Sequence, residues 1–420
     1  MEALLIIALI VLLLIIGAQL FLIIGVLALS LFVVYGDVEL FSLSKTMFDS
    51  LNKSILLSIP LYVFAGAVMA KGEIAKRLID LSLAAFGWLK GGLAIGAVFA
   101  CVFFAAISGS SPVTLIAIGT ILYPAMLENG YPKSMALGIL TVSGSLGILI
   151  PPSIPMIIFS IVTGADVQKL FIAGIIPGII TALLLIIIAL ILAQKHDLVT
   201  QPFSMKALSK SFTRSIPALL MPVFILGGIY SGIYNVTEAA AVGSVYAVLI
   251  ELFYFRQMKM KDLVNTLYDS VIVLGIIFII IAMATIFNYY VVLEDVPNAI
   301  LESLKGYITS PTMFIVVTIL LLLIIGLFMD SISAILIVAP LILPLAILYD
   351  IDLIHLGIVF ILALEIGYIT PPVGVNLFVS AGVFSEPFGK IVTACIPYLL
   401  MVVVALLIVS FIPELFLWLF

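Results

Sequence analysis

Apolar residues fill this sequence in long unbroken stretches, without the strict alternation of a half-buried strand or the one-sided stripe of a soluble amphipathic helix. Stretches long enough to cross a hydrocarbon core of ~30 Å recur along its whole length. They predict helices at about 3–16, 20–35, 54–70, 170–194, 215–233, 237–254 and 267–290, with a last one after Lys390. Two longer stretches are interrupted: Gly91 to Met126 at "SGSSP" (Ser108 to Pro112), and Pro311 to Tyr349 near "FMDSIS" (Phe328 to Ser333). Each reads as a re-entrant hairpin. Behind each comes a segment cut by a proline pair, Pro151-Pro152 in "GILIPPSIPM" and Pro371-Pro372 in "GYITPPVGVN".

Composition sharpens this picture. Hydrophobic residues make up 65% of the 420 and charged residues 9%, far from soluble usage, so the chain is read as an all-α polytopic membrane protein with no sizeable soluble domain. Met1 to Ile16 has no basic residue before its apolar run and reads as a retained helix rather than a cleaved signal peptide. The cations set the orientation. Of 17 Lys and Arg, 13 fall on the side taken as inside, leaving Lys45, Lys53, Lys169 and Lys305 outside. Cys101 and Cys395 lie within apolar runs as packing residues, and with only His196 and His355 in the chain no histidine-based metal site is expected.

The two interrupted regions are copies of one another. At a fixed offset of 220, residues 108–178 align without a gap to 328–398, with only 8 of 71 positions identical. The prolines carry the match: Pro124, Pro151, Pro152 and Pro177 meet Pro344, Pro371, Pro372 and Pro397. Gly147 also meets Gly367, and Asp166 meets Glu386. The first copy starts inside and the second outside, which predicts an inverted-repeat transporter fold. The division expected is 1–90 as scaffold helices, 91–178 as the first transport repeat, 179–290 as scaffold, 291–390 as the second transport repeat and 391–420 as a C-terminal helix.

The breaks carry the chemistry. Proline has no N–H and clashes with the preceding turn, so each pair leaves carbonyls unpaired and exposes two half-helix ends at membrane depth. Such backbone is tolerated there only where it lines a cavity or binds something. Carbonyl oxygens suit Na⁺, and half-helix N-termini attract a carboxylate. Hydroxyls gather at the same places: Ser108, Ser110, Ser111 and Thr114 at the first tip, Ser143, Ser145 and Ser153 at the first break, and Ser331, Ser333, Thr370 and Asn376 in the second half. Asp330, at the second tip, is open to two readings, a ligand or an N-cap for the returning half-helix. Glu365 supports the second break or carries a proton, while Glu251 and Asp269 read as acids near inside helix ends. The three arginines, Arg77, Arg214 and Arg256, all fall in inside loops, so an anion at mid-membrane must be held by helix ends, hydroxyls and co-bound cations.

The stretch from "FFAAISGSSPVTLIAIG" through "GILIPPSIPMIIFSIVTGADVQKLFIAGIIPGI", with "FMDSISAILIVAPLILP" and "EIGYITPPVGVNLFV", resembles the large permease (M, DctM-like) subunit of TRAP transporters, the tripartite ATP-independent periplasmic family. The resemblance runs over essentially the whole chain. It implies a symporter of the bacterial inner membrane with an elevator mechanism, in which a unit of two hairpins and two broken helices moves against a scaffold. It also implies Na⁺ as coupling ion and a carboxylate substrate such as a C4-dicarboxylate or sialic acid. Two partners follow from it, a periplasmic substrate-binding protein and a small Q membrane subunit on a separate chain. Carried onto this sequence, it assigns Ser108, Ser110, Ser153 and Asp330 to substrate, joined by Asn376 from the hydroxyl-rich set. Na⁺ falls to Ser108, Gly144, Gly147 and Pro151 in the first half and to Gly326, Gly367 and Thr370 in the second. An enzyme or a nucleic-acid-binding protein is not expected. The rival reading is a stand-alone sodium–dicarboxylate symporter or ion antiporter of related architecture.

Overall fold

The computed structural model describes every residue except Met1, Gly17, Asp37, Gln201 and Lys305, so Lys305 of the four outside cations lies outside the described residues. Those described form helices and loops with no strand. In order they are α1 (Glu2–Ile15), α2 (Leu20–Tyr35), α3 (Leu40–Leu51), α4 (Ser58–Lys71), α5 (Ile74–Phe86), α6 (Gly92–Ser108), α7 (Ser111–Glu128), α8 (Lys133–Leu149), α9 (Ile154–Thr163) and α10 (Val167–Ala193). The second half continues with α11 (Met205–Tyr230), α12 (Val236–Leu249), α13 (Met260–Leu293), α14 (Val296–Leu304), α15 (Pro311–Gly326), α16 (Ser331–Leu348), α17 (Leu353–Tyr368), α18 (Val375–Phe384), α19 (Phe388–Phe411) and α20 (Glu414–Leu417).

Both hairpins and both broken helices form as expected. In the first hairpin, α6 and α7 turn at Gly109, and the base closes where the Leu93 N–H donates to Tyr131 Oη at 3.1 Å. In the second, α15 and α16 are closed at the base by Tyr349 Oη, which donates to Ile308 O. Each tip is stitched to the break behind it: the Ile154 N–H donates to Gly109 O at 3.3 Å, and the Val373 N–H to Leu327 O at 3.2 Å. The broken helices sit at the centre. Helix α8 is buried from Met135 to Leu149 and α17 from Ile354 to Tyr368, as helices apolar on every side must be.

The repeat reaches further than the prolines indicated. At the same offset of 220, α7 (111–128) maps onto α16 (331–348), α8 onto α17, α9 onto α18 and α10 onto α19, with ends agreeing to within a few residues. The match extends back to α2, which maps onto α12 and its π-helical continuation at 250–255. Helices α3 and α4 together map onto the single long α13. The physical reason for that difference lies in the linker, where Asn52, Lys53 and Ser54 stand opposite Ile272, Val273 and Leu274. Polar residues break the helix in one copy, and apolar ones carry it through in the other. The copies interlock: α2 packs on α13 as α12 packs on α4, and α7 packs on α18 as α16 packs on α9. With each hairpin returning to the side it entered, five crossings (α2, α4, α8 with α9, α10 and α11) separate the start of α2 from that of α12. Five is odd, so the copies are inverted.

Three elements were not anticipated: α3, α5 and α14. Each is amphipathic and short, so a search for continuous apolar runs passes over it. In α5 Lys76 is exposed, Arg77 lies over the Phe255 ring and Asp80 is half-buried, while Ile74, Leu78 and Ile79 are buried against neighbours. Helix α11 begins ten residues before the expected 215, capped by Ser204 Oγ on the Ala207 N–H, because its first turns are polar and leave the apolar region.

Candidate functional site

Two glycines let each hairpin tip lie directly on the helix break behind it. A Cβ on Gly147 would stand 2.5 Å from Ser110 O, and one on Gly367 would stand 2.6 Å from Gly326 O. Gly147 and Gly367 are counterparts, and each meets backbone of its own hairpin tip, with room for no side chain. They gather the expected Na⁺ residues into two clusters. Ser108, Gly144, Gly147 and Pro151 belong to the first tip and break, and Gly326, Gly367 and Thr370 to the second. The oxygens on offer there are neutral. Ser108 Oγ is 2.8 Å from Thr114 Oγ1, Thr114 Oγ1 donates to Ser110 O at 2.9 Å, and Thr370 Oγ1 donates to Ile366 O at 2.6 Å. Among the described residues, Ser143 Oγ, one position before Gly144, is buried with no hydrogen-bond partner. A hard monovalent cation is what carbonyls and hydroxyls of this kind fit.

Between the two tips lies a cavity of about 220 Å³. The tips supply Gly109, Ser110 and Ser111 from one side and Ser331 and Ile332 from the other, and Tyr368 comes from the end of α17. Tyr368 Oη lies 2.8 Å from Ser331 Oγ, fixing the second tip to the second break. The opposite wall is α4 and α13, with Val63, Ala67, Thr266, Ser270 and Ile277. The cavity's charged lining residues are Lys71 and Asp269, whose Nζ and Oδ2 are 2.7 Å apart. This pair joins the scaffold helix of one copy to its counterpart in the other.

The remaining expected substrate residues stand just behind the cavity wall. Ser108 is fully buried under the first tip. Ser153 caps α9, accepting from the Met156 N–H at 3.4 Å and donating to Ile148 O, so it spans the break. Asn376 is buried, its Nδ2 donating to Ser111 Oγ at 2.7 Å and its Oδ1 unpartnered. It reaches the cavity only through Ser111. Asp330 takes the capping geometry: Oδ2 accepts from the Ile332 and Ser333 N–H groups at 3.0 and 3.2 Å, and Oδ1 accepts from Ser333 Oγ at 2.6 Å. Ser110 is the one of the five that lines the cavity itself.

Sequence reasoning passed over Tyr368, Lys71 and Asp269. Tyr368 was legible as the hydroxyl-bearing aromatic inside "GYITPP". Lys71 and Asp269 were placed at inside helix ends, and nothing in the spacing of two residues 198 apart indicates that they meet.

Hairpin tips laid on proline breaks, two inverted copies and a cavity between tips and scaffold describe a transporter. Residues 6–415 match the family described as tripartite ATP-independent periplasmic transporter, DctM component. The chain belongs to that family. It is 42% identical to the C4-dicarboxylate TRAP transporter large permease protein DctM of Pseudomonas aeruginosa, over 89% of this chain and 88% of the relative. The Vibrio cholerae protein of the same description is 40% identical over 92% and 90% of the two chains. The 2,3-diketo-L-gulonate TRAP transporter large permease protein YiaN of Escherichia coli is 33% identical over 90% and 89%. Among solved structures, the YdaH transporter of Alcanivorax borkumensis superposes with a TM-score of 0.61 over 98% of both chains at 16% identity, a likeness of fold. The chain is thus a multi-pass membrane permease, the large component of a bacterial TRAP transporter, and not an enzyme.

Proposed function

We propose that this permease takes up an organic carboxylate, such as a C4-dicarboxylate or sialic acid, across the bacterial inner membrane in symport with Na⁺. The observation that carries the reading is the cavity, walled on one side by both hairpin tips and on the other by α4 and α13. A unit made of the hairpins and broken helices can carry such a cavity past the scaffold, which is the elevator form of alternating access. Support for a carboxylate comes from the relatives named for C4-dicarboxylates and 2,3-diketo-L-gulonate, and from Lys71 at the cavity. Support for Na⁺ comes from the two clusters of neutral oxygens. The family implies a substrate-binding protein and a small membrane subunit, and the isethionate relative of Oleidesulfovibrio alaskensis carries the description DctMQ.

Reconstitution into liposomes tests the reading. The permease alone gives no uptake. Adding the small subunit, the loaded binding protein and an inward Na⁺ gradient gives carboxylate uptake, which K⁺ does not replace. Uptake by the permease alone, or equal uptake with K⁺, overturns the proposal in favour of a stand-alone symporter.

A further inference from the structure

Helices α5 and α11 leave a second cavity of about 190 Å³ between them, lined by no residue of either hairpin. Its walls are almost wholly polar: Arg77 and Asp80 come from α5, and Ala207, Lys210, Ser211 and Arg214 from α11. The spacing explains the meeting. Positions 207, 210, 211 and 214 recur at threes and fours and so share one face of α11, as 77 and 80 share one face of α5. Beside the cavity, Ser215 Oγ donates to Arg77 O at 2.8 Å and ties the two helices together.

Three cations and one acid line this space, a surplus of two positive charges. Arg77 is held in place, with Nη2 3.0 Å from Glu73 Oε1 and the guanidinium over the Phe255 ring. That contact engages only part of a group with five N–H donors. Lys210 and Arg214 are exposed and form no ion pair among the described residues, with Asp80 or with any other acid. Four residues apart on one helix, they repel one another. An anion seated between them and Arg77 relieves that repulsion.

The donor set selects the kind of anion. Arginine forks engage phosphate oxygens two at a time, a lysine adds a point charge, and Ser211 Oγ supplies one more donor. Ala207 is the one apolar side chain in the lining, so the cavity suits a compact charged group and not an apolar body. The cavity also lies on the side taken as inside, where the anionic headgroups of the leaflet and the aqueous phase both present phosphate.

We propose that the cavity between α5 and α11 is a phosphate-binding site, in which Arg77, Lys210, Ser211 and Arg214 hold the phosphoryl group of an anionic phospholipid headgroup or a free phosphate and so bridge the two helices.

Two arms test this on the purified full-length permease, each with wild type, the double variant Lys210→Gln/Arg214→Gln, and the control Lys195→Gln/Lys261→Gln, which removes the same charge from exposed positions outside the cavity. In neutral detergent, inorganic phosphate is compared with chloride at equal ionic strength. Free phosphate as the source raises the melting temperature of wild type and control by several degrees and leaves that of the double variant where chloride puts it. In mixed micelles of phosphatidylglycerol and phosphatidylcholine, native mass spectrometry counts retained lipid. A headgroup as the source leaves one phosphatidylglycerol on each chain of wild type and control, and severalfold less on the double variant. A positive result in either arm supports the site and identifies what fills it. No response in either arm, or a response that the double variant and the control keep or lose alike, overturns it. All three proteins melt alike in chloride, since the exchanged side chains are exposed, and neither arm depends on the substrate or coupling ion of the permease.

Discussion

At the scale of single residues, the account rests on close backbone approach. Gly147 and Gly367 hold positions where a methyl group meets a carbonyl oxygen of the adjoining hairpin tip, and neither tip can retreat without losing its hydrogen bond to the break. Gly367→Ala is therefore expected to lower uptake at least tenfold, while Gly382→Ala, in α18 with open space around it, leaves uptake unchanged; transport by matched amounts of purified variant checks both. Asp330 calls for a different comparison. Its oxygens are committed to the first turn of α16, and Asn caps about as well as Asp, whereas Ala loses roughly 0.5–2 kcal/mol. Asp330→Asn is expected to keep both melting temperature and uptake, and Asp330→Ala to melt lower. The sequence marked these residues because proline pairs and clustered hydroxyls are rare in apolar runs. It left Asp330 undecided because a cap and a ligand demand the same residue type.

Helices and their junctions add a second set of constraints. Glu251, in the π-helical continuation of α12, is fully buried and accepts from the Glu73 and Ile74 N–H groups at 2.9 Å each, capping α5 from another helix. Glu251→Ala leaves the buried Ile74 N–H and the part-buried Glu73 N–H unmatched, a loss of about 1–3 kcal/mol for the buried donor that thermal unfolding in detergent would register. Glu386, between α18 and α19, is held below the usual carboxylate range, first by the hydrogen bond from Lys133 and then by the charges of Lys133 and Lys390. A depressed carboxyl contributes stability above its unfolded pKa and loses it as pH falls through the folded value. Wild type should thus lose melting temperature on acidification more steeply than Glu386→Gln. The Lys71–Asp269 pair is half-exposed or more, and such pairs add little to stability. Lys71→Gln is accordingly expected to melt normally yet take up its carboxylate severalfold more slowly. Of these junctions the sequence showed the charges but not the partners, because a search for continuous apolar runs passes over amphipathic α5 and long-range pairs leave no trace in local spacing.

The molecule as a whole is two copies of one design, set in opposite directions, whose tips and breaks build a shared cavity. Its legibility in the sequence was uneven for a physical reason. Pro151-Pro152 and Pro371-Pro372 recur in both copies because a helix break needs that residue, and Pro124 with Pro344 and Pro177 with Pro397 recur inside continuous helices, whereas most apolar positions facing lipid or core interchange freely. The repeat was therefore visible at 108–178 and invisible over α2 to α4, where only the three-dimensional packing reveals that α3 and α4 correspond to the single α13. Inversion is the central claim, since without it the two tips could not approach one cavity from opposite faces. It puts the loop before α11 inside and α14 outside. Both native cysteines are buried, and Ser204 and Ser303 are exposed, so single cysteines at these two positions can be labelled with a membrane-impermeant maleimide in intact spheroplasts. The account predicts that Ser303→Cys labels and Ser204→Cys does not; labelling of Ser204→Cys alone, or of both equally, would contradict it.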